Sequence, residues 1–463
     1  MNEFIDVEIN DVEIEKQSAI PYIEGSIKTS PKGKKSFVDG MFAKAYQIMN
    51  DVIFSNGAFY SPDGMLSTGT ILRDINESLF DIFPSNLSQN TNKALKALKE
   101  MAYVENFDFA DKNIIPLHNG DLYVNKHKNW VFKLDEKTQV PYRLPVSYTP
   151  LHIRKETPYF DKWLDDLFVD EDKDILQEYL GYCLIPTTKA QKSLILIGKG
   201  GEGKSILGQI IFSIFGQAMT APHDVDAFFN DKFKIPELEN QLIVFDDDLK
   251  NQALSNSGIY KKMITNVLYI TADRKGEQPF KFKPFARYIM LSNEMLKSDD
   301  DTDGFYRRII PIHVKAQNPD RKNIYNLGEL ITNESEGILQ WALLGLKRLI
   351  DNDYQFSNSD RSNKYLDNYK NLTHNIPTFI EENLQDGGEF TVQDFTDAYQ
   401  NWCILNNFIY KNKREVQQYL ANNYESIGIE QTRITLDKGN RVRGYKGKSL
   451  INYSNKSKNI QLS

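Results

Sequence analysis

Ser193-Leu194-Ile195-Leu196-Ile197-Gly198-Lys199-Gly200-Gly201-Glu202-Gly203-Lys204-Ser205-Ile206-Leu207 carries the strongest structural signal in the chain. An unbroken apolar run feeds a glycine-rich loop, and an apolar-periodic segment through Ile210 and Ile211 leads out of it. The loop fits G-x-x-x-x-G-K-[ST] at every fixed position, in the strand–loop–helix setting the motif needs. Gly198, Gly200, Gly201 and Gly203 let the backbone curl, so that N–H groups up to Ile206, that of Glu202 included, face phosphate oxygens. The helix N-terminus adds partial positive charge. Lys204 supplies a full charge to the β/γ phosphates, and the Ser205 hydroxyl can ligate Mg²⁺. ATP and Mg²⁺ are the expected cofactors.

Downstream, the apolar run 242–245 ends in Asp246-Asp247-Asp248. Carboxylates at such a strand end can hold Mg²⁺, Asp246 first, and polarise the attacking water; Asp246 and Asp247 are the better pair. A third apolar run, 288–292, ends at Asn293, whose amide can orient the lytic water. Arg307 and Arg308 then precede the apolar Ile309-Ile310-Pro311-Ile312. In an oligomeric ATPase an arginine must reach the neighbour's γ-phosphate, and this pair is suitably sited. Continuous apolar strands alternating with helices predict an α/β unit over 186–350, with a parallel sheet covered on both faces.

The chain has 463 residues, 40% hydrophobic and 26% charged, which suits a globular protein of several domains. No run approaches the roughly eighteen apolar residues of a membrane span. The acidic N-terminus lacks a signal-peptide pattern, and Cys183 and Cys403 lie far apart in apolar surroundings; together these point to a reduced, cytoplasmic protein. The net charge of −7 hides an asymmetry: residues 411–463 hold eleven Lys/Arg against four Asp/Glu, leaving −14 on residues 1–410. Local DNA contact by this tail is one reading, and a merely solvated basic tail is the other. Residues 1–100 show short helical patterns without recognisable chemistry. Residues 101–185 combine short strands (121–124, 130–134) with helical segments whose Phe160, Trp163 and Leu164 read as core. Residues 351–372 are polar, a linker or an exposed helix, and 373–463 form a last small domain.

This pattern resembles superfamily III helicases of the AAA+ class, and more closely the phage, plasmid and poxvirus primase-helicase group. The resemblance rests on Glu178-Tyr179-Leu180-Gly181-Tyr182, residues 198–205, Asp246-Asp247, Asn293, Gly304-Phe305-Tyr306-Arg307-Arg308 and Gly337-Ile338-Leu339-Gln340-Trp341, and spans about residues 100–350. The organisation also looks like the replication initiator helicases of staphylococcal pathogenicity islands and related mobile elements. The resemblance implies that Asn293 senses the γ-phosphate and that Arg308, with Arg307 second, is the arginine finger. It implies a ring, normally a hexamer, unwinding DNA 3′-to-5′. It further implies a pore hairpin over 270–282 whose Arg274 and Lys275 pull on single-stranded DNA, a plain surface hairpin being the alternative. No His-hydrophobe-His motif with a nucleophilic tyrosine occurs in residues 1–150 and no primase constellation is evident, so a separate primase is expected.

In the tail, two helical segments (391–408 and 413–420) precede Thr432-Arg433-Ile434-Thr435-Leu436 and Arg441-Val442-Arg443-Gly444-Tyr445, joined by Asp437-Lys438-Gly439-Asn440. Helix, helix, hairpin looks like a winged helix. Its second helix would enter the major groove of an origin duplex while Lys438, Arg441 and Arg443 contact phosphates. A protein-docking winged helix is the competing reading. The function expected is an ATP-driven helicase that starts replication of a mobile element. The alternative is an AAA+ loader or remodeller of a protein–DNA complex that does not unwind.

Overall fold

The computed structural model describes residues 4–9, 18–105, 107–127, 129–219, 225–249, 257–265, 268–274, 279–296, 303–321, 324–373, 375–406, 408, 410–436 and 439–451. The chain divides into two compact units, one comprising 1–296 with 307–359 and the other 297–306 with 360–463.

In the first unit, helices α1 (Asp39–Asn50), α2 (Thr68–Phe80) and α3 (Leu87–Met101) build a small core of their own around Ala43, Ile71, Ile75, Leu79, Ala94 and Leu98. In α2 and α3 these residues recur at the four-residue spacing that puts them on one face of a helix. A four-stranded mixed sheet follows. Strand β1 (Ile5–Ile9) runs parallel to β4 (Trp130–Leu134), and β4 pairs antiparallel with β3 (Gly120–Tyr123), which in turn pairs with β2 (Ile114–Leu117). Helices α4 (Pro158–Leu167) and α5 (Asp170–Cys183) lead into the central sheet.

That sheet is wholly parallel. Strand β5 (Ser193–Ile197) carries the apolar run that opens the decisive stretch, and α6 (Ile206–Phe215) leads away from it. After α7 (Val225–Asn230) come β6 (Ile243–Asp246), α8 (Ser257–Thr265) and the antiparallel pair β7 (Ile270–Ala272) and β8 (Phe280–Phe282). Strands β9 (Arg287–Ser292) and β10 (Ile309–His313) complete the order β6-β9-β5-β10. Every residue of β5, β6 and β9 is buried. Side chains alternate between the faces of a strand. Leu194, Leu196, Ile289, Leu291 and Ile312 join one large core with α4, α5, α6 and the long helix α10 (Ser335–Asp351), which follows α9 (Leu327–Thr332). Ile195, Ile197, Val244, Tyr288 and Met290 face the other way and are equally buried. The sequence expectation of a parallel sheet with both faces covered is met.

Two motifs of the resemblance prove to be packing devices. Helices α5 and α10 cross so closely that a Cβ on Gly181 would lie 2.4 Å from the Ala342 carbonyl oxygen, and one on Gly345 would lie 2.3 Å from that of Gln177. Beside this crossing, buried Glu178 accepts from Arg348 Nε (2.6 Å), from the Ser357 hydroxyl (2.6 Å) and from the Ser357 N–H (2.7 Å). Gln340 fastens a loop, donating to the carbonyls of Thr149, Pro150 and Ile153 and accepting from the Lys155 N–H.

In the second unit, α11 (Asp360–Thr373) and α12 (Asn375–Asn383) precede β11 (Leu384–Thr391), α13 (Val392–Leu405), α14 (Lys413–Ile427), β12 (Glu430–Thr435) and β13 (Arg441–Leu450). The sheet is antiparallel in the order β11-β13-β12. Phe379, Phe395, Tyr399, Val416, Leu420 and Tyr445 fill the core. Capping boxes start both central helices, Thr391 with Asp394 and Asn412 with Glu415, and Gly428 ends the second in the left-handed conformation. Cys183 and Cys403 are both free and buried, as expected. Among the described residues no helix is long and apolar enough to cross a membrane.

Candidate active site

The phosphate loop leaves the carboxyl end of β5, an interior strand of the sheet. That strand is clamped up to its last residue: the Gly198 N–H donates to the Ser292 oxygen at 3.1 Å, and the Val314 N–H to the Ile197 oxygen at 3.0 Å. Gly200, Gly201 and Gly203 have φ of +106°, +85° and +101°, a region where side-chain-bearing residues are strained. Lys204 is 8% exposed and folds back over the loop, its ammonium 2.9 Å from the Gly198 oxygen and 3.0 Å from Glu202 Oε2.

The Glu202 carboxylate sits inside the loop. It accepts the Gly200 N–H at 2.9 and 3.1 Å and pairs with Lys204 at 5% exposure. Burial alone would raise its pKa; the Lys204 ammonium and the backbone N–H groups outweigh burial and hold it below the usual carboxylate value. An anion is therefore already accommodated where the loop's lysine and N–H groups converge, which fits the loop to an oxyanion ligand. Ser205 is the N-cap of α6 but makes no side-chain capping bond.

The acidic run lies at the same edge of the sheet. Register pairs Asp246 with Met290 on β9, and Ile197 with Ser292 on the other side of β9. Strand β9 thus separates the loop strand from the acid strand, a spacing of about 10 Å across two strand intervals. Asn293, exposed, follows β9 directly, between the loop and the acids. Asp246 is 3% exposed, and its carboxylate accepts from the backbone N–H of Val225 (2.8 Å) and Asp248 (3.1 Å). Asp247 and Asp248 are exposed. The Ser205 hydroxyl and these carboxylates are hard oxygen donors of the kind Mg²⁺ takes.

Arg307 and Arg308 stand at the opposite edge. They precede β10, whose first residue pairs with Ser193 at the start of β5. The length of β10 puts them about 16 Å along the strand direction from the level of the phosphate loop. Arg307 is exposed; Arg308 is half-buried, and its oxygen accepts the Ser193 N–H at 2.8 Å. Lys192 donates to the Arg307 oxygen at 2.6 Å, and with Lys189, Tyr354 and the two arginines it lines a cleft of about 250 Å³.

The antiparallel β7–β8 pair forms where the resemblance leads one to expect it, with Ile270 opposite Phe282. Arg274 is engaged within the chain: its guanidinium pairs with Glu239 and lies 4.2 Å from the centre of the Phe280 ring. Lys275 lies outside the described residues. In the second unit, Arg441 and Arg443 are exposed on β13, and Lys438 lies outside the described residues. Register sets Arg443 directly opposite Arg433. Arg433, Glu202 as the loop's internal anion and Arg321 against the loop were not singled out from the sequence. Only the mirrored basic residues of the hairpin carried a signal for any of them.

A family model described as "Family of unknown function (DUF5906)" matches residues 196–308, the segment from the phosphate loop to the arginine pair. The apo structure of the NrS-1 C-terminal region is similar at 16% identity and a TM-score of 0.50, covering 88% of this chain and 99% of that one. A second, A-form apo structure of the same region gives 16% identity and a TM-score of 0.49, covering 88% of this chain and 98% of that one. What the chain shares with the first of these structures, at such identity, is its mixed α/β fold.

Proposed function

We propose that this chain is an ATP-dependent DNA helicase that initiates replication of a mobile genetic element, built as a superfamily III AAA+ motor. The observation that carries the reading is the phosphate loop: Lys204 and the Gly200 N–H converge on an anion at the carboxyl end of an interior parallel strand. ATP with Mg²⁺ is the ligand of that loop in this reading. Asp246 and Asp247 are the acidic pair of the run. Asp246, with Ser205, holds Mg²⁺ in this reading and also braces the strand end through the Val225 and Asp248 N–H groups, and Asp247 is its exposed partner. Asn293, between loop and acids, is the γ-phosphate sensor.

The separation of the arginine pair from the loop of its own chain supports a ring. An arginine finger at the far edge of the sheet serves a neighbour's site, so hydrolysis needs an oligomer, with a hexamer and 3′-to-5′ movement taken from the resemblance. The resemblance puts Arg308 first as the finger and Arg307 second; the exposure of Arg307, beside an Arg308 whose carbonyl is tied to β5, supports reversing that order in this proposal. The order helix–strand–helix–helix–strand–strand in the second unit supports the winged-helix reading. There α14 reads an origin duplex while Lys438, Arg441 and Arg443 hold phosphates, and a separate protein primes. One observation favours the second reading, a remodeller that does not unwind: Arg274 is occupied by Glu239 and Phe280.

The test is strand displacement on a forked DNA with a 3′ single-stranded arm, comparing wild type with K204A and K275A. ATP-driven unwinding lost in both variants supports the helicase. Robust ATPase activity without displacement selects the remodeller, and absence of ATPase activity in assembled wild-type protein sinks both.

A further inference from the structure

The outer side of the phosphate loop is gripped by two residues remote in sequence. Trp163 on α4 donates its indole N–H to the Gly203 oxygen at 3.0 Å. Arg321, in the segment after β10, donates Nη1 to the Glu202 oxygen at 2.6 Å. Arg321 is itself fixed by Asp166, whose Oδ2 lies 3.2 Å from Nε and which stands one helical turn beyond Trp163. The same segment is laced to α4 by Lys315, whose N–H donates to the Leu167 oxygen at 2.7 Å and whose ammonium donates to the Asp165 oxygen at 2.9 Å.

Peptide geometry gives these contacts a consequence. In a trans peptide the C=O of one residue and the N–H of the next point in opposite directions. Pulling the Glu202 oxygen outward turns the Gly203 N–H inward, and pulling the Gly203 oxygen outward turns the Lys204 N–H inward. A loop with several glycines at positive φ has little intrinsic preference for one orientation of these peptide planes. Something outside the loop must choose it.

We propose that Trp163 and Arg321 are positioning residues for the nucleotide phosphates, aiming the Gly203 and Lys204 N–H groups into the loop without touching the ligand. The inference rests on the nucleotide reading above. It also gives α4 and the segment after β10 a direct hold on nucleotide affinity. Loop N–H groups serve the ground and transition states alike, so their misorientation raises KM and leaves kcat largely intact.

The experiment measures Kd for a fluorescent ATP analogue, and KM and kcat for ATP, in full-length wild type, W163F, R321A, R321K and K204A, with thermal melts alongside. W163F keeps an aromatic ring, though a smaller one, and deletes the indole N–H; R321K keeps the charge and deletes the fork. Expected are Kd and KM about tenfold higher in R321A and about fivefold higher in W163F, the scale of one lost hydrogen bond, with kcat within about twofold. R321K should recover part of the loss. Wild-type Kd in both W163F and R321A, or a fall in kcat at unchanged KM, overturns the inference; if R321A does not fold, W163F decides alone. A K204A variant that binds as tightly as wild type overturns the nucleotide reading, and this inference with it.

Discussion

The phosphate loop and the β12–β13 hairpin both concentrate positive charge, and they handle it in opposite ways. Around the loop, Lys204 and Glu202 answer each other, as do Arg321 and Asp166, all within the chain and largely out of water. On the hairpin, Arg433 and Arg443 face each other across the ladder with Arg441 nearby, all exposed, and the only side-chain bond described for them is Arg443 to Gln431 at 3.4 Å. A buried charge must find its partner during folding, because desolvation is otherwise prohibitive. An exposed like-charge pair costs only tenths of a kcal/mol to about 1 kcal/mol and is relieved when an external anion arrives. The first region is therefore preorganised and self-occupied; the second leaves its arginines exposed to solvent.

The contrast can be broken at several points. The largest effect is expected from Lys204→Ala, which removes the loop's charge and leaves the buried Glu202 carboxylate without its cation. ATP hydrolysis should fall more than about 100-fold, and retention of activity would dissolve the loop's side of the comparison. Next is Asp246→Ala. It strips acceptors from two backbone N–H groups and should cost about 2–3 kcal/mol in chemical denaturation, whereas the exposed Asp247→Asn should stay within about 0.5 kcal/mol while losing hydrolysis. Equal losses of stability would mean that Asp246 is no brace.

On the hairpin, Arg441→Ala and Arg443→Ala should each reduce the slope of log affinity for duplex DNA against log salt by about 1, without changing ATPase activity. Unchanged slopes would favour protein docking by this unit. The smallest effect concerns Glu202→Gln. Removing the internal anion should lower KM for ATP by about threefold, since the loop no longer has to expel a charge. The Glu202 pKa is depressed in the folded state, so its ion pair contributes stability above the ordinary carboxylate value and loses it as pH falls through the depressed one. The stability advantage of wild type over Glu202→Gln should accordingly be steady near neutrality and vanish in acid. A difference that grows on acidification would show that Glu202 is not ionised in the loop.

Much of the site was legible because its signals are local. The apolar run of β5, the glycines and the Lys204-Ser205 pair specify strand, loop and helix within one short segment. The acidic run and Asn293 are marked by the apolar strands that precede them. The β12–β13 hairpin was likewise readable from the strand-like runs on either side of its turn residues, whereas the β7–β8 hairpin was expected from the resemblance. Strand β11 was not anticipated: Asp386-Gly387-Gly388-Glu389 breaks any strand-like run, and in the fold a register shift between Asp386 and Glu389, with both glycines at positive φ, carries the strand through it. The motif residues Glu178, Gly181 and Gln340 were recognisable as a pattern, but their packing role was hidden, because their partners lie far away in the chain.

Local pattern alone places a glycine-rich loop after an apolar strand, acids and an asparagine at the ends of two further strands, and a basic hairpin within residues 432–445. These follow from local periodicity, glycine placement and charge. The position of β9 between the loop strand and the acid strand, and that of Arg307 and Arg308 at the far edge of the sheet from the loop, emerge from the folded chain alone. The same holds for Glu202 inside the loop and for the bonds from Trp163 and Arg321 to the loop's carbonyls. Strand order and carbonyl partners are set by pairings across tens to hundreds of residues, which burial of the shared core selects and which leave no periodic trace in the segments they join.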